Sequence, residues 1–132
     1  MEGGQTNEFR PLILVAEDDD SNFKLIKAII GKKCDIQWAK NGEEIVALFK
    51  EYGNEVKAIL MDIKMPVMNG PDATKIIRGE NKEIPIIMQT AYAFSSDKEN
   101  AMNAGASEVL VKPITLSILR NTLTKYFPEL VW

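Results

Sequence analysis

The sequence predicts a doubly wound α/β fold, in which five parallel strands carry helices on both faces. Three observations lead there. Short apolar or β-branched runs recur at 12–16, 34–39, 56–61, 84–89 and 108–111, each of strand length. Apolar residues fall at helical spacing in the segments between them. The runs LILVA and AILM are apolar throughout, as strands buried on both faces require. A chain that alternates strand and helix in this way returns each helix right-handedly to a parallel neighbour.

In chain order, residues 1–10 are Gly-rich and polar and read as a flexible leader to a domain spanning 11–127. The first helix comes after the first strand, with Phe23, Ile26, Ile29 and Ile30 on one face. The second enters through Asn41 and Gly42 and carries Ile45, Leu48 and Phe49. The third begins at Pro71, a residue suited to a first helical turn, with Ile76 and Ile77 as its apolar face, and stops near Gly79. The fourth shows a capping box, Ser96 with Glu99, and ends at Gly105. Ser95 and Ser96 are read simply as caps. The fifth runs over 115–127 with Leu116, Leu119, Leu123 and Phe127 on one side, and Pro128 stops it. The apolar stretch 128–132 is a C-terminal tail.

Composition narrows the function. At 132 residues the chain has room for one domain, and 45% apolar with 27% charged residues suffices for a real core. A net charge of -3 gives no basic field for direct nucleic-acid binding. The lone cysteine, Cys34, allows no internal disulfide and suggests a reducing compartment. No apolar run approaches the roughly 20 residues that span a bilayer, so a cytoplasmic location without membrane insertion is expected. The absence of histidine excludes His-based acid–base catalysis and a phosphohistidine of the chain's own.

Function is read from the residues directly after each strand, because open parallel sheets bind ligands outside the carboxyl ends of their strands. Glu17, Asp18, Asp19 and Asp20 come after the first run, Asp62 after the third, Thr90 after the fourth and Lys112 after the fifth. Only Lys40, Asn41 and Gly42 come after the second, which suggests that this strand lies outside the cluster. The flavodoxin-like order 2-1-3-4-5 puts Asp62 at the centre. Carboxylates gathered so closely repel one another unless a cation joins them, and all-oxygen ligands favour Mg2+ or Mn2+. A carboxylate can also attack phosphorus, with the cation, a lysine and a hydroxyl supplying charge neutralisation.

Four motifs, LILVAEDD, LMDIKMPVMNG, QTAYAF and VLVKPI, carry a resemblance over about residues 11–127. The chain resembles the receiver domains of response regulators, the CheY-like superfamily, and is most similar to receivers of hybrid sensor histidine kinases and phosphorelays. The resemblance implies that Glu17 and Asp18 hold the metal and that Asp62 is both phosphoacceptor and metal ligand. It adds the Lys64 carbonyl to the metal ligands, gives Thr90 and Lys112 to the phosphoryl oxygens, and makes the Lys112–Pro113 bond cis. The partners implied are a sensor histidine kinase or a histidine phosphotransfer protein, and a downstream reader at the face of helix four, strand five and helix five.

The chain departs from the family at Val109, where an aromatic residue is common, which puts the usual threonine–aromatic switch in doubt. Lys64, two residues after Asp62, lies beside the path of a hydrolytic water, Tyr92 sits two residues after Thr90, and the pair is expected to alter the phosphoryl lifetime. Several alternatives stand at this point. Asp18 and Asp19 could form the acidic pair. The chain could be a pseudo-receiver that binds without being phosphorylated. It could also be a dehalogenase-like phosphatase, although Lys64 occupies the place of that class's second aspartate.

Overall fold

The computed structural model describes residues 9–92 and 96–132. Its elements alternate as β1 (Leu12–Ala16), α1 (Asp20–Ile30), β2 (Asp35–Ala39), α2 (Gly42–Tyr52), β3 (Val56–Asp62), α3 (Gly70–Arg78), β4 (Ile86–Thr90), α4 (Ser96–Ala104), β5 (Glu108–Val111) and α5 (Leu116–Tyr126). A 3-10 turn at Gly53–Glu55 leads into β3. All strand pairs are parallel, and the order is β2-β1-β3-β4-β5. No helix among the described residues is long and apolar enough to cross a membrane.

Strand parity divides the core into two layers. Leu14, Ala16, Ile59, Met61, Ile86 and Met88 point to the side packed with Ile45, Phe49, Ala73 and Ile77 of α2 and α3. Ile13, Val15, Ala58, Leu60 and Ile87 point to the other, against Ile26, Ile29, Leu119 and Leu123 of α1 and α5. Both faces of the central strands are thus covered, which is why their sequences are apolar runs rather than alternating ones.

Helix starts are fixed by side chains. Asp19, Asn41, Asn69 and Thr115 each accept a hydrogen bond from the backbone N–H three residues on, at 2.8–3.1 Å. Each cap contributes about 1 kcal/mol. At α2 the Glu44 carboxylate also accepts from the N–H of Lys40, the residue before the cap, at 2.9 Å. Gly105 ends α4 at φ 115, a conformation that disfavours a Cβ.

Several boundaries differ from the expected ones. Cys34 precedes β2 because its N–H donates to the Ile30 carbonyl at 3.0 Å, which spends the donor on the end of α1. β4 begins at Ile86 rather than at 84 because Pro85 has no N–H for the ladder. α3 starts at Gly70 under the Asn69 cap, with Pro71 in its first turn; Ala73, Thr74 and Ile77 form its buried face, while Ile76 is exposed. Leu116 is likewise exposed, so α5 buries Leu119, Thr122 and Leu123 instead. Ser96 lies inside α4 rather than before it, and Ser95 lies outside the described residues. Phe9 packs on Phe127 with ring centroids 6.0 Å apart, and Arg10 donates to the Lys32 carbonyl at 2.6 Å, so both are tied to the domain. In the tail, Leu130 is buried and the Trp132 indole N–H donates to Thr124 Oγ1 at 3.0 Å.

Candidate functional site

The register that stacks β1, β3 and β4 side by side brings their carboxyl ends to one edge, with Met61 opposite Ala16 and Asp62 opposite Gln89. Carboxylate oxygens of Glu17, Asp18 and Asp62 there lie within 4.8 Å of one another. Lys112 reaches in from the end of β5, its Nζ 2.7 Å from Asp62 Oδ2 and 3.9 Å from Glu17 Oε1. Thr90 ends β4, and its carbonyl accepts from the Lys112 N–H at 2.8 Å. Asp62, Lys64, Thr90, Tyr92 and Lys112 line one cleft of about 240 Å3.

The expected side chains are therefore together. Asp19 is the α1 cap and Asp20 pairs with Lys40 at 3.4 Å, and the carboxylates gathered with Asp62 are those of Glu17 and Asp18. Lys64 is held at the site by its backbone, since its N–H donates to Asp62 Oδ1 at 3.3 Å, while its ammonium pairs with Asp97 of α4 at 3.3 Å. Thr90 Oγ1 accepts from the Tyr92 N–H at 3.1 Å. The Lys112–Pro113 bond is cis.

The loop after β3 is closed tightly around Asp62. The Gly70 N–H donates to the Ile63 carbonyl and the Gly42 N–H to the Met68 carbonyl, both at 2.9 Å. A Cβ on Gly70 would stand 2.6 Å from the Asp62 carbonyl oxygen, so only glycine fits there without a backbone shift. Val67, in the same loop, is at φ 69.

The electrostatics are those of a site short of positive charge. Glu17 is 0% exposed, and burial pushes its carboxyl up to about 7. The charges of Asp62 and Asp18 push the same way, while the Asp19 N–H and Lys112 oppose them. Burial works to lower the Lys112 ammonium, but the hydrogen bond and charge of Asp62, with Glu17 and Asp18, outweigh it and leave it raised. Glu17 Oε1 is a buried acceptor with no hydrogen-bond partner. A buried, unpartnered oxygen beside two more carboxylates is a donor set that fits a divalent cation.

One contributor escaped the sequence reading. β2 is an edge strand, yet its Trp38 indole N–H donates to the Glu17 carbonyl at 2.8 Å. The strand outside the cluster therefore holds part of it. A large side chain bearing one donor at the end of that strand was the available signal.

Comparison with known proteins decides the family. The model for the response regulator receiver domain matches residues 13–124. The chain belongs to the response regulator receiver domain family. Among curated relatives, a hybrid signal transduction histidine kinase (I) of Dictyostelium discoideum is 37% identical over 129 residues, covering 89% of this chain. A second from the same organism (G) is 39% identical over 123 residues, covering 88% of this chain. The chain spans only 7% and 4% of those two relatives.

Two solved receiver domains align over nearly all of it. That of a Pseudomonas aeruginosa sensor histidine kinase, with a magnesium ion coordinated in its active-site cleft, has TM-score 0.82 and 30% identity over 91% of this chain and 99% of that one. The receiver domain of the Saccharomyces cerevisiae response regulator Ssk1, solved with the histidine phosphotransfer protein Ypd1, has TM-score 0.82 and 28% identity over 92% of this chain and 93% of that one. Membership does not favour the phosphatase alternative. Receiver domains are components of two-component and phosphorelay signalling.

Proposed function

We propose that Asp62 accepts a phosphoryl group from a phosphohistidine on a sensor histidine kinase or a histidine phosphotransfer protein. The observation that carries this reading is the setting of the Asp62 carboxylate, at the end of the central strand and between the Glu17–Asp18 pair and the Lys112 ammonium. An Asp62 oxygen attacks the phosphorus, the phosphorus–nitrogen bond breaks, and its electron pair stays on the donor imidazole, which is reprotonated. Glu17, Asp18, Asp62 and the Lys64 carbonyl would hold Mg2+, with Mn2+ an acceptable substitute. Bound there, the cation neutralises charge on the transferring oxygens and on the crowded carboxylates.

The rest falls to the chain itself. Lys112, released from Asp62 by the new acyl phosphate, pairs with a phosphoryl oxygen, and Thr90 donates its hydroxyl to another in place of its present contact. The bulkier and more negative acyl phosphate that replaces the carboxylate then shifts the loops around Thr90 and the face of α4, β5 and α5, where a downstream reader binds. Such a cycle makes the chain a switch and not a turnover enzyme, and the buried free Cys34 fits a cytoplasmic setting. Lys64 and Tyr92, lining the cleft with Asp62, set the phosphoryl lifetime.

The test is to incubate the protein with acetyl phosphate, with and without Mg2+, and to weigh it. A gain of one phosphoryl group that requires Mg2+ and vanishes in Asp62→Asn is expected. No adduct under any condition would favour a receiver that binds without being phosphorylated.

A further inference from the structure

The edge strand's tryptophan sits where a second support for the acidic pair is needed. Glu17 and Asp18 lie between the end of β1 and the start of α1, and no strand ladder fixes a residue past Ala16. Two hydrogen bonds from the β2 side replace it. The Glu17 N–H donates to the Ala39 carbonyl at 2.9 Å, and the Trp38 indole N–H donates to the Glu17 carbonyl at 2.8 Å. Both backbone groups of Glu17 are thereby anchored to β2, and the carboxylates project from a pinned peptide.

The indole is pinned in turn. Phe23 of α1 stacks on it with ring centroids 4.0 Å apart and planes parallel, and Lys40 Nζ stands 4.8 Å from the ring centroid. Lys40 is itself paired with Asp20 at 3.4 Å. Stacking and cation–π attraction leave the ring little freedom to turn its N–H away. A donor locked this way holds its acceptor in place before any ligand arrives, and preorganised ligands bind more tightly because less ordering remains to be done.

We infer that Trp38 is a positioning residue for the divalent-cation site: through the Glu17 carbonyl it fixes the peptide that presents Glu17 and Asp18, and so raises the affinity of the acidic cluster for Mg2+ or Mn2+. This rests on the metal-binding reading of the cluster given above. It assigns Trp38 no contact with the cation.

The experiment is direct titration of the metal-free protein with MnCl2, monitored by the electron paramagnetic resonance of free Mn2+ and needing no phosphorylation. Trp38→Phe keeps a ring for Phe23 but loses the donor. Replacing Trp38 with benzothienylalanine keeps the shape almost unchanged and also loses it. Both are expected to bind Mn2+ about fivefold more weakly, the effect of losing one hydrogen bond of ordinary net strength. Trp132→Phe, which removes a similar indole bond to Thr124 far from the cluster, is expected to bind like the parent. Should Trp38→Phe fold poorly, the isosteric replacement decides alone. Parent-like affinity in that variant overturns the inference while leaving the metal site standing. An equal loss in Trp132→Phe would mean general loosening and also overturns it. A parent protein that takes up no Mn2+, or takes it up equally well as Asp62→Asn, overturns the reading of the cluster and this inference with it.

Discussion

The two halves of the sheet's carboxyl edge are built differently. On the β1–β3 side, Ile13 through Ala16 and Met61 are inaccessible, and the flanking loops are tied by hydrogen bonds at Glu17, Gly42 and Gly70. On the β4–β5 side, β5 has no fully buried residue and α4 buries only Ala101 and Ala104. Tyr92, Leu116 and Met102 are exposed there, as Val67 and Leu25 are on the other side. The first half is dense enough to hold crowded charge in one geometry. In the second, β4 is as buried as β1 and β3, but β5 and α4 outside it have little buried area to lose, and segments with few buried apolar contacts open at low cost.

That contrast is open to attack by mutation, and the largest effect should come from the dense half. Ile59→Ala, in the middle of β3 and fully buried, should cost about 3–4 kcal/mol in urea unfolding. A loss under about 1 kcal/mol would mean that the central strand is not a rigid, close-packed element. Gly70→Ala comes next, at about 2 kcal/mol, because the added methyl meets the Asp62 carbonyl oxygen 2.6 Å away. It should also weaken acceptance of a phosphoryl group, which a substitution on the far side of the sheet would not.

A kinetic probe sharpens the comparison without mutation. Cys34 is buried behind α1, and burial pushes its thiol up to about 11, so at about pH 8 it is neither exposed nor ionised. Iodoacetamide should label it only as fast as the dense half opens, and mild urea should accelerate the labelling. Rapid labelling of the native protein would contradict that density. The smallest effect belongs to the thin half, where Met102→Ala should change stability by no more than about 0.5 kcal/mol. A larger loss would show that α4 is packed more firmly than its exposure indicates.

Much of the fold could be read from the residues because burial on both faces writes a strand as an unbroken apolar run. β1 and β5 have the expected bounds, and the order agrees with where the polar residues cluster. The gathering of the candidate side chains was legible because a parallel sheet brings the carboxyl ends of its strands to one edge. The misses have physical causes as well. Helical spacing alone could not tell Ile76 from Ala73 and Thr74 as the face α3 buries, since that depends on the helix's rotation against the sheet. Trp38 was missed because its contribution is one indole N–H aimed at a backbone carbonyl, so the residue marks a donor at that strand but not what the donor reaches. At position 109, valine is half-buried beside the core, and the usual switch aromatic has no counterpart there.

The central claim is that the carboxylate ending β3 becomes an acyl phosphate. Borohydride reduces an aspartyl phosphate to homoserine, so the protein can be treated with acetyl phosphate and Mg2+, reduced, digested and sequenced by mass spectrometry. Homoserine at position 62, absent when Mg2+ is chelated, is the predicted result. Homoserine at Asp18, at another acid, or nowhere would contradict it.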